Sequence, residues 1–376
     1  MKIAVDAMGG DNAPSALVEG AVVAYRELGV ESVLIGNPKT IDAEIARLEA
    51  RNLPIEVREA AQVIEMGESL SRSLKFKTDS SMRIAAEMVK SGDAAAVFSA
   101  GDTGGAFAVS MHVFQRMKGI LRPAIAALIP TLKGFSIMLD VGANLVPKAQ
   151  NLLQFGVMGK TYSEMALGIS NPTVGLLNVG GEDSKGTDAL RSAFQLFSKS
   201  DLNFVGNVEG DTVFQGSVDV IVCDGFSGNV ALKVSESLSE MLTTLLREEV
   251  THSFRSKIGY MFLQNGLKSM RQRTDYSEYG AAPLLGLNGL TMIGHGRSTP
   301  KAVKNALGAT VRLVDKGLNS KIETEVDRQI AIQRRSEPGW RLWGQIREGI
   351  FHGGTVEESG EGEGSSGKND SDLTEK

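Results

Sequence analysis

Short apolar runs alternate with longer amphipathic stretches along almost the whole chain. A run of a few Val, Ile, Leu and Ala residues fits a strand buried on both faces. A longer stretch with apolar positions three and four apart fits a covering helix. Residues 2–5 read as the first such strand and 14–28 as a helix with Pro14 near its first turn. Residues 33–36, 45–50 and 55–57 continue the alternation, and a helix over 80–90 leads into a strand over 94–99. After a glycine-rich loop a helical stretch runs to about 115, and 125–130 and 135–139 read as adjacent strands turning at Lys133-Gly134. A helix over about 148–165, a strand over 173–178, a helix over 188–198 and strands over 204–206 and 218–223 follow. Residues 299–316 and 321–335 look helical. The pattern predicts an α/β protein with a mostly parallel sheet covered by helices on both faces, its strand C-termini gathered on one edge.

Residues 236–276 break the rhythm. Leu238, Met241, Leu242, Leu245 and Leu246 lie at helical spacing and form one apolar stripe. Beyond them, residues 250–274 hold five Lys or Arg and no Asp or Glu. On a helical wheel Phe254, Ile258, Met261 and Phe262 share one face, Leu263, Leu267 and Met270 lie nearly opposite, and Lys257, Lys268 and Arg271 fall between. A helix apolar on two sides has two surfaces to cover: one packs on its own chain, the other meets a subunit or a lipid surface. A core helix with a solvated basic strip reads the same pattern equally well.

Composition then narrows the class. The 376 residues are 42% hydrophobic and 23% charged, which fits a globular chain with a sizeable core. One large α/β domain over 1–340, carrying 236–276 as an inserted helical segment, accounts for the pattern. The net charge of −5 argues against a nucleic-acid partner and resides in a tail: residues 353–376 hold seven acidic and two basic residues among Gly and Ser, and read as disordered. A single cysteine, Cys223, excludes an intrachain disulfide and a cysteine metal cluster, and fits a reducing compartment. The first residues read as a strand without a secretory core, and no apolar run is long enough to span a bilayer. The expected location is cytosolic, or on a membrane without crossing it.

Candidate chemistry gathers in the loops after the strands. They are Asp6-Ala7-Met8-Gly9-Gly10-Asp11, Ser99-Ala100-Gly101-Asp102-Thr103-Gly104-Gly105, Asp140-Val141-Gly142-Ala143-Asn144, the stretch from Asn178 through Ser184-Lys185-Gly186-Thr187, and Asp224-Gly225-Phe226-Ser227-Gly228-Asn229. Helices starting there aim N–H groups at a ligand, which suits an anion. No dinucleotide fingerprint follows the first strand, and Ser184-Lys185-Gly186-Thr187 has the residues of a phosphate loop in the wrong order. Cys223 ends an apolar strand and reads as an inert thiol, and no serine elbow is present. His295, in Gly294-His295-Gly296-Arg297-Ser298, is the one histidine in a glycine-rich loop and a candidate proton donor. Lys185, between polar and glycine positions at a helix start, is the candidate cation for an anionic substrate.

Taken together, these loops resemble the PlsX-type phosphate acyltransferases, as does the stretch Tyr276-Ser277-Glu278-Tyr279-Gly280-Ala281-Ala282-Pro283-Leu284-Leu285-Gly286. The resemblance runs in order through nearly all of residues 1–340. It departs at Leu145-Val146-Pro147-Lys148, where a polar stretch is expected, and in the tail. It implies a Rossmann-like, doubly wound fold similar to phosphotransacetylases and isocitrate-type dehydrogenases. The activity it implies is transfer of a fatty acyl group from acyl carrier protein to inorganic phosphate, the acyl phosphate then serving a membrane glycerol 3-phosphate acyltransferase. It further implies a homodimer attached peripherally to the inner face of the cell membrane, and no cofactor.

Lys185 would hold phosphate, Asn229 would donate to the reacting carbonyl, and His295 would assist. Gly9, Gly10, Asp11, Ser99, Gly101, Thr103, Gly104, Asn144, Ser184, Gly186, Thr187 and Asp224 would line the substrate site. Lys257, Leu263, Leu267, Lys268, Met270 and Arg271 are the membrane-contact candidates. No metal is called for, although Asp11, Asp102 and Asp224 leave room for a divalent cation. A short-chain phosphotransacetylase using coenzyme A and an NAD(P)-dependent dehydrogenase are the competing readings.

Overall fold

β1 (Lys2–Asp6) buries Ile3, Ala4 and Val5 completely, as an apolar run without alternation requires. The computed structural model to which it belongs describes residues 1–65, 67–252, 254–274 and 280–336. α1 (Ser15–Leu28) follows and stops at Gly29, whose φ of 70° suits a residue without a β-carbon. β2 (Glu31–Gly36), α2 (Pro38–Arg47) and β3 (Glu56–Glu59) extend the sheet to one edge. The Asn37 side chain caps α2 by accepting from the Lys39 N–H at 3.0 Å. α3 (Leu70–Phe76) and α4 (Ser81–Ser91) lead to β4 (Ala96–Ser99), buried throughout, and then to α5 (Thr103–Phe114).

β5 (Ala124–Thr131) and β6 (Gly134–Leu139) pair as the expected hairpin. α6 (Ala149–Ala166), with Leu152, Leu153, Phe155, Met158 and Tyr162 all buried, covers the second half of the sheet. There β7 (Thr173–Leu177), α7 (Asp188–Ser198), β8 (Asn203–Val208) and β9 (Val220–Val222) follow. Two long helices, α8 (Gly225–His252) and α9 (Phe254–Thr274), come next. β10 (Ala281–Leu285) and β11 (Thr291–Gly294) then return to the sheet, and α10 (Pro300–Asp315) and α11 (Leu318–Ser336) complete the described chain. The helix expected from Glu236 is thus continuous with one that begins at Gly225. The tail expectation over 353–376 lies outside the described residues.

One eleven-stranded sheet has the order β3-β2-β1-β4-β11-β10-β5-β6-β9-β7-β8. Most neighbours are parallel, as expected, but β10 is antiparallel to both β11 and β5, and β5 to β6. β6, β9, β7 and β8 therefore run opposite to β1, β2 and β4. This corrects the expectation of one shared edge. The C-termini of β1 and β4 lie at one edge of the strand ladder, those of β6, β9 and β7 at the other.

Twist offsets the reversal. At about 20–25° per step, the six steps from β4 to β7 turn the strand direction through roughly 120–150°. A reversed strand rotated so far points back within about 30–60° of its starting sense. The β10–β11 hairpin escaped the sequence reading because Pro283 sits inside β10, where a central strand seldom tolerates proline. The β10–β5 ladder holds only Leu284 and Leu285, so Pro283 lies beyond it and the missing N–H breaks no bond to β5.

Candidate active site

Three loops meet where the neighbouring strands β6, β9 and β7 end. The first is organised by Asp140, which is fully buried. Its Oδ1 accepts from the backbone N–H groups of Ile125 (3.0 Å), Gly142 (3.2 Å) and Ala143 (3.1 Å). Its Oδ2 accepts from the Asn144 N–H (2.6 Å) and Nδ2 (2.9 Å). Burial pushes the carboxyl up from its ordinary value, and the Asn144 amide and the backbone donors pull the other way. Asn144 also donates through Nδ2 to the Pro123 carbonyl (2.8 Å), so its side chain is committed to holding the loop.

The second loop follows β9. Asp224 caps α8: Ser227 donates its N–H to Asp224 Oδ1 and its hydroxyl to Oδ2, both at 2.8 Å. A β-carbon at Gly228 would stand 2.0 Å from the Asp140 carbonyl oxygen, so glycine alone lets α8 start against the first loop. Asn229, one residue on, is exposed, with Oδ1 beside Gly142.

The third loop follows β7. Asn178 folds it, accepting from the Val179 N–H (2.8 Å) and donating to the Lys185 carbonyl (3.2 Å). Lys185 is half exposed, with Glu182 at 4.0 Å, and exposed Ser184 stands beside it. Gly186 has φ 84°, and the Thr187 hydroxyl caps α7 through the Leu190 N–H at 3.3 Å. β7 and β9 pair directly, Leu176 beside Val222, so Lys185 and Asn229 extend from adjacent strand ends.

A second cluster forms at the ends of β1, β4 and β11. Buried Asp6 accepts from the Ser99 hydroxyl (2.7 Å) and the Met8 N–H (3.2 Å), and the Gly101 N–H donates to Ser99 Oγ (3.1 Å). Burial raises the Asp6 carboxyl, against the hydrogen bonds of Ser99 and the loop backbone. A β-carbon at Gly9 would lie 2.6 Å from Asp6 Oδ2 and 2.7 Å from the Gly101 nitrogen, so the two glycine loops cross in contact. Gly10 stands against the Ala100 and Gly296 carbonyls, and the exposed Asp11 donates its N–H to the Gly296 carbonyl (2.8 Å). Asp102 caps α5 through the Gly105 N–H (2.6 Å), placing a carboxylate at the helix start beside Thr103 and Gly104. An anion there would meet that charge.

α8 connects the clusters. Its Glu236 lies 3.7 Å from His295 Nε2 and 3.0 Å from Lys233, and its Glu240 3.4 Å from Arg297. Burial pushes the Glu236 carboxyl up, but His295 and Lys233 outweigh it and hold the group below the usual range. His295 thus stands with the second cluster, tied to α8 about two turns beyond Asn229.

Of the sequence candidates, the structure brings Asn144, Ser184, Lys185, Gly186, Thr187, Asp224 and Asn229 to one set of strand ends. It brings Gly9, Gly10, Asp11, Ser99, Gly101, Thr103, Gly104 and His295 to the other. Among the described residues, no three His, Cys, Asp or Glu side chains gather as a metal site. On α9, Leu263 and Lys268 are exposed and Leu267 partly so. The side chains of Lys257, Met270 and Arg271 lie outside the described residues. Sequence reasoning missed Asp140 as an organising group, the Asp6–Ser99 link and the two α8 ion pairs. An Asp two residues before a glycine at a strand end is an Asx-turn signal, and it would have found the first.

Cys223 is 1% exposed and donates Sγ–H to the Asp140 carbonyl at 3.2 Å. Burial, then the Asp140 and Asp224 carboxylates, push the thiol well up, away from a reactive thiolate. Cys223→Ser is therefore expected to keep most of the activity. A protein acylated on Cys223 without phosphate, and discharged when phosphate is added, would overturn that.

The fatty acid synthesis protein family matches residues 1–321. The chain belongs to that family. It is 47% identical over 339 residues to the phosphate acyltransferase of Citrifermentans bemidjiense, covering 90% of this chain and 96% of the relative. It is 45% identical over 327 residues to that of Geobacter sulfurreducens, covering 87% and 94%. It is thus an acyltransferase of the PlsX type, as its loops indicated. Phosphotransacetylases of Streptococcus pyogenes (TM-score 0.58, 16% identity, 84% of this chain and 94% of that one) and Staphylococcus aureus (0.56, 17%, with the same coverage) share its fold.

Proposed function

We propose that the chain transfers a fatty acyl group from the thioester of acyl carrier protein to inorganic phosphate, yielding acyl phosphate for phospholipid synthesis. One observation carries this reading: Lys185 and Asn229 are exposed at the ends of adjacent strands, while the only cysteine beside them is buried. A phosphate oxygen is itself the nucleophile. It attacks the thioester carbonyl carbon, a tetrahedral oxyanion forms, and the C–S bond breaks to release the carrier thiolate. The site has to hold a multiply charged anion against that carbonyl and stabilise the oxyanion. Lys185 supplies the charge for phosphate and Asn229 an amide donor to the oxyanion. The thiolate leaves without a strong general acid, so His295 serves through its tie to α8 rather than as an obligatory proton donor. No cofactor or metal has a part in these steps.

The deciding assay combines purified protein, phosphate and either a long-chain acyl carrier thioester or acetyl-coenzyme A, with acyl phosphate measured directly. Product from the carrier thioester is expected. Product from acetyl-coenzyme A alone would make the enzyme a short-chain phosphotransacetylase, and no product from either would refute the proposal.

The α8 stripe Leu238, Met241, Leu242, Leu245 and Leu246 is exposed in the single chain, as are Val230 and Val234. So continuous an apolar row supports a homodimer. Among the described residues no helix is long and apolar enough to cross a membrane. Exposed Met261, Phe262 and Leu263 on α9, with Lys268 nearby, support peripheral attachment to the cell membrane, beside the acyltransferase that consumes acyl phosphate. Cosedimentation with anionic vesicles is expected to be salt-sensitive and to fall for Leu263→Glu and Leu267→Glu, with size and solution activity retained. Wild-type protein that ignores such vesicles, or variants that bind equally well, would remove the membrane from the proposal.

A further inference from the structure

The three strand ends around Lys185 and Asn229 repeat one inversion of the usual surface rule. After β6, Asn144 is 8% exposed, while Leu145 and Val146, which follow it, are 64% and 93% exposed. After β7, Asn178 is 8% exposed and Val179 is 82% exposed. After β9, Asp224 and Ser227 satisfy one another, and Phe226 between them is 64% exposed. In each case the polar side chain is spent on folding the loop and the large apolar one is left in water. A single exposed apolar residue needs no explanation, but four on the loops of three neighbouring strand ends call for one. Two of the loops are also in contact: Gly225 donates its N–H to the Asn144 carbonyl at 2.7 Å, which sets Leu145 beside the turn bearing Phe226. Leu145, Val146 and Val179 are loop residues and do not belong to the apolar row along α8.

We infer that Leu145, Val146, Val179 and Phe226 form the surface on which the hydrocarbon chain of the acyl donor lies. The inference rests on the proposed acyl transfer at this edge, and the position of the patch argues for it. Its members lie on the same three strand-end segments as the lysine and the asparagine that would hold phosphate and carbonyl, so they are the apolar groups on offer where the acyl chain leaves the reacting atoms. A chain bound there is removed from water in proportion to the apolar area it covers, so the effect grows with its length. Branched and aromatic side chains without polar partners set no fixed chain direction, which suits a flexible alkyl group.

The experiment compares kcat/KM for hexadecanoyl and butanoyl carrier thioesters in wild type, a Leu145→Ser and Val146→Ser double variant, Val179→Ser and Phe226→Ser. The ratio of the long-chain to the short-chain value is expected to fall by about tenfold or more in the double variant and in Phe226→Ser. A ratio equal to that of wild type in all variants would overturn the inference while leaving acyl transfer intact. Variants that change from dimer to monomer on size-exclusion chromatography with light scattering would instead assign the patch to a second copy of the chain, which also overturns it. Wild-type protein that forms no acyl phosphate from either donor would refute the underlying reading, and with it the occupant. Thermal unfolding of each variant accompanies the kinetics. The long-chain ratio, being internal to one protein preparation, is insensitive to a partly inactive fraction.

Discussion

Lys185→Ala is expected to raise the KM for phosphate and lower kcat, and Asn229→Ala to lower kcat by about 10²-fold with a smaller effect on KM. The two differ because their partners differ. Phosphate is anionic before and during the reaction, so a lysine that meets it contributes to binding as well as to the barrier. The oxyanion exists only once the thioester carbonyl has been attacked, so an amide aimed at it acts mainly on kcat. Lys185 is suited to the first part: half exposed, its nearest acidic group is Glu182 at 4.0 Å. Lys185→Arg keeps the charge but replaces a compact ammonium with a planar fork, and partial recovery of the phosphate KM is expected. Steady-state kinetics at varied phosphate would decide. Near-normal constants in both alanine variants, with folding intact, would make these residues ordinary surface positions.

Asp140→Ala is expected to be the most destabilising single substitution near the site, by about 3–5 kcal/mol in denaturant unfolding. The carboxylate takes four backbone N–H groups and the Asn144 amide, all around a fully buried centre. Alanine leaves these donors without an acceptor, and each buried orphan costs about 1–3 kcal/mol unless water reaches it. Asp140→Asn keeps the shape but turns one acceptor oxygen into a donor facing other donors, so an intermediate loss is expected. Activity should fall in both, because the Asp140 carbonyl is the surface against which Gly228, and so the first turn of α8 with Asn229, is seated. If Asp140→Ala unfolds at the wild-type denaturant concentration, the loop draws its rigidity from elsewhere.

The strands were legible because burial on both faces leaves an apolar run that no amphipathic helix produces. Strand direction leaves no such mark. The alternation of apolar runs is the same whether β6 runs with β4 or against it, and for that reason one edge was expected where the ladder has two. β10 was hidden by Pro283, which argues locally for a turn and is tolerated because the β10–β5 ladder stops at Leu284. Lys185 and Asn229 could be singled out from loop chemistry. The Asp140 bond to Ile125 and the Glu236–His295 pair depend on residues brought together by the sheet and by α8, and no local pattern encodes them.

The place of β10 and β11 also sets an order of assembly. Among the described residues they are the last strands to be synthesised, yet they stand between β4 and β5 near the middle of the sheet. Until the ribosome has released Ala281–Gly294, β4 has only β1 beside it and β5 only β6, and two half-sheets each present an open apolar edge. The nascent chain therefore carries most of its core sequence through synthesis without its keystone. A chain terminated after α9 should behave as an aggregation-prone intermediate rather than as a smaller working domain.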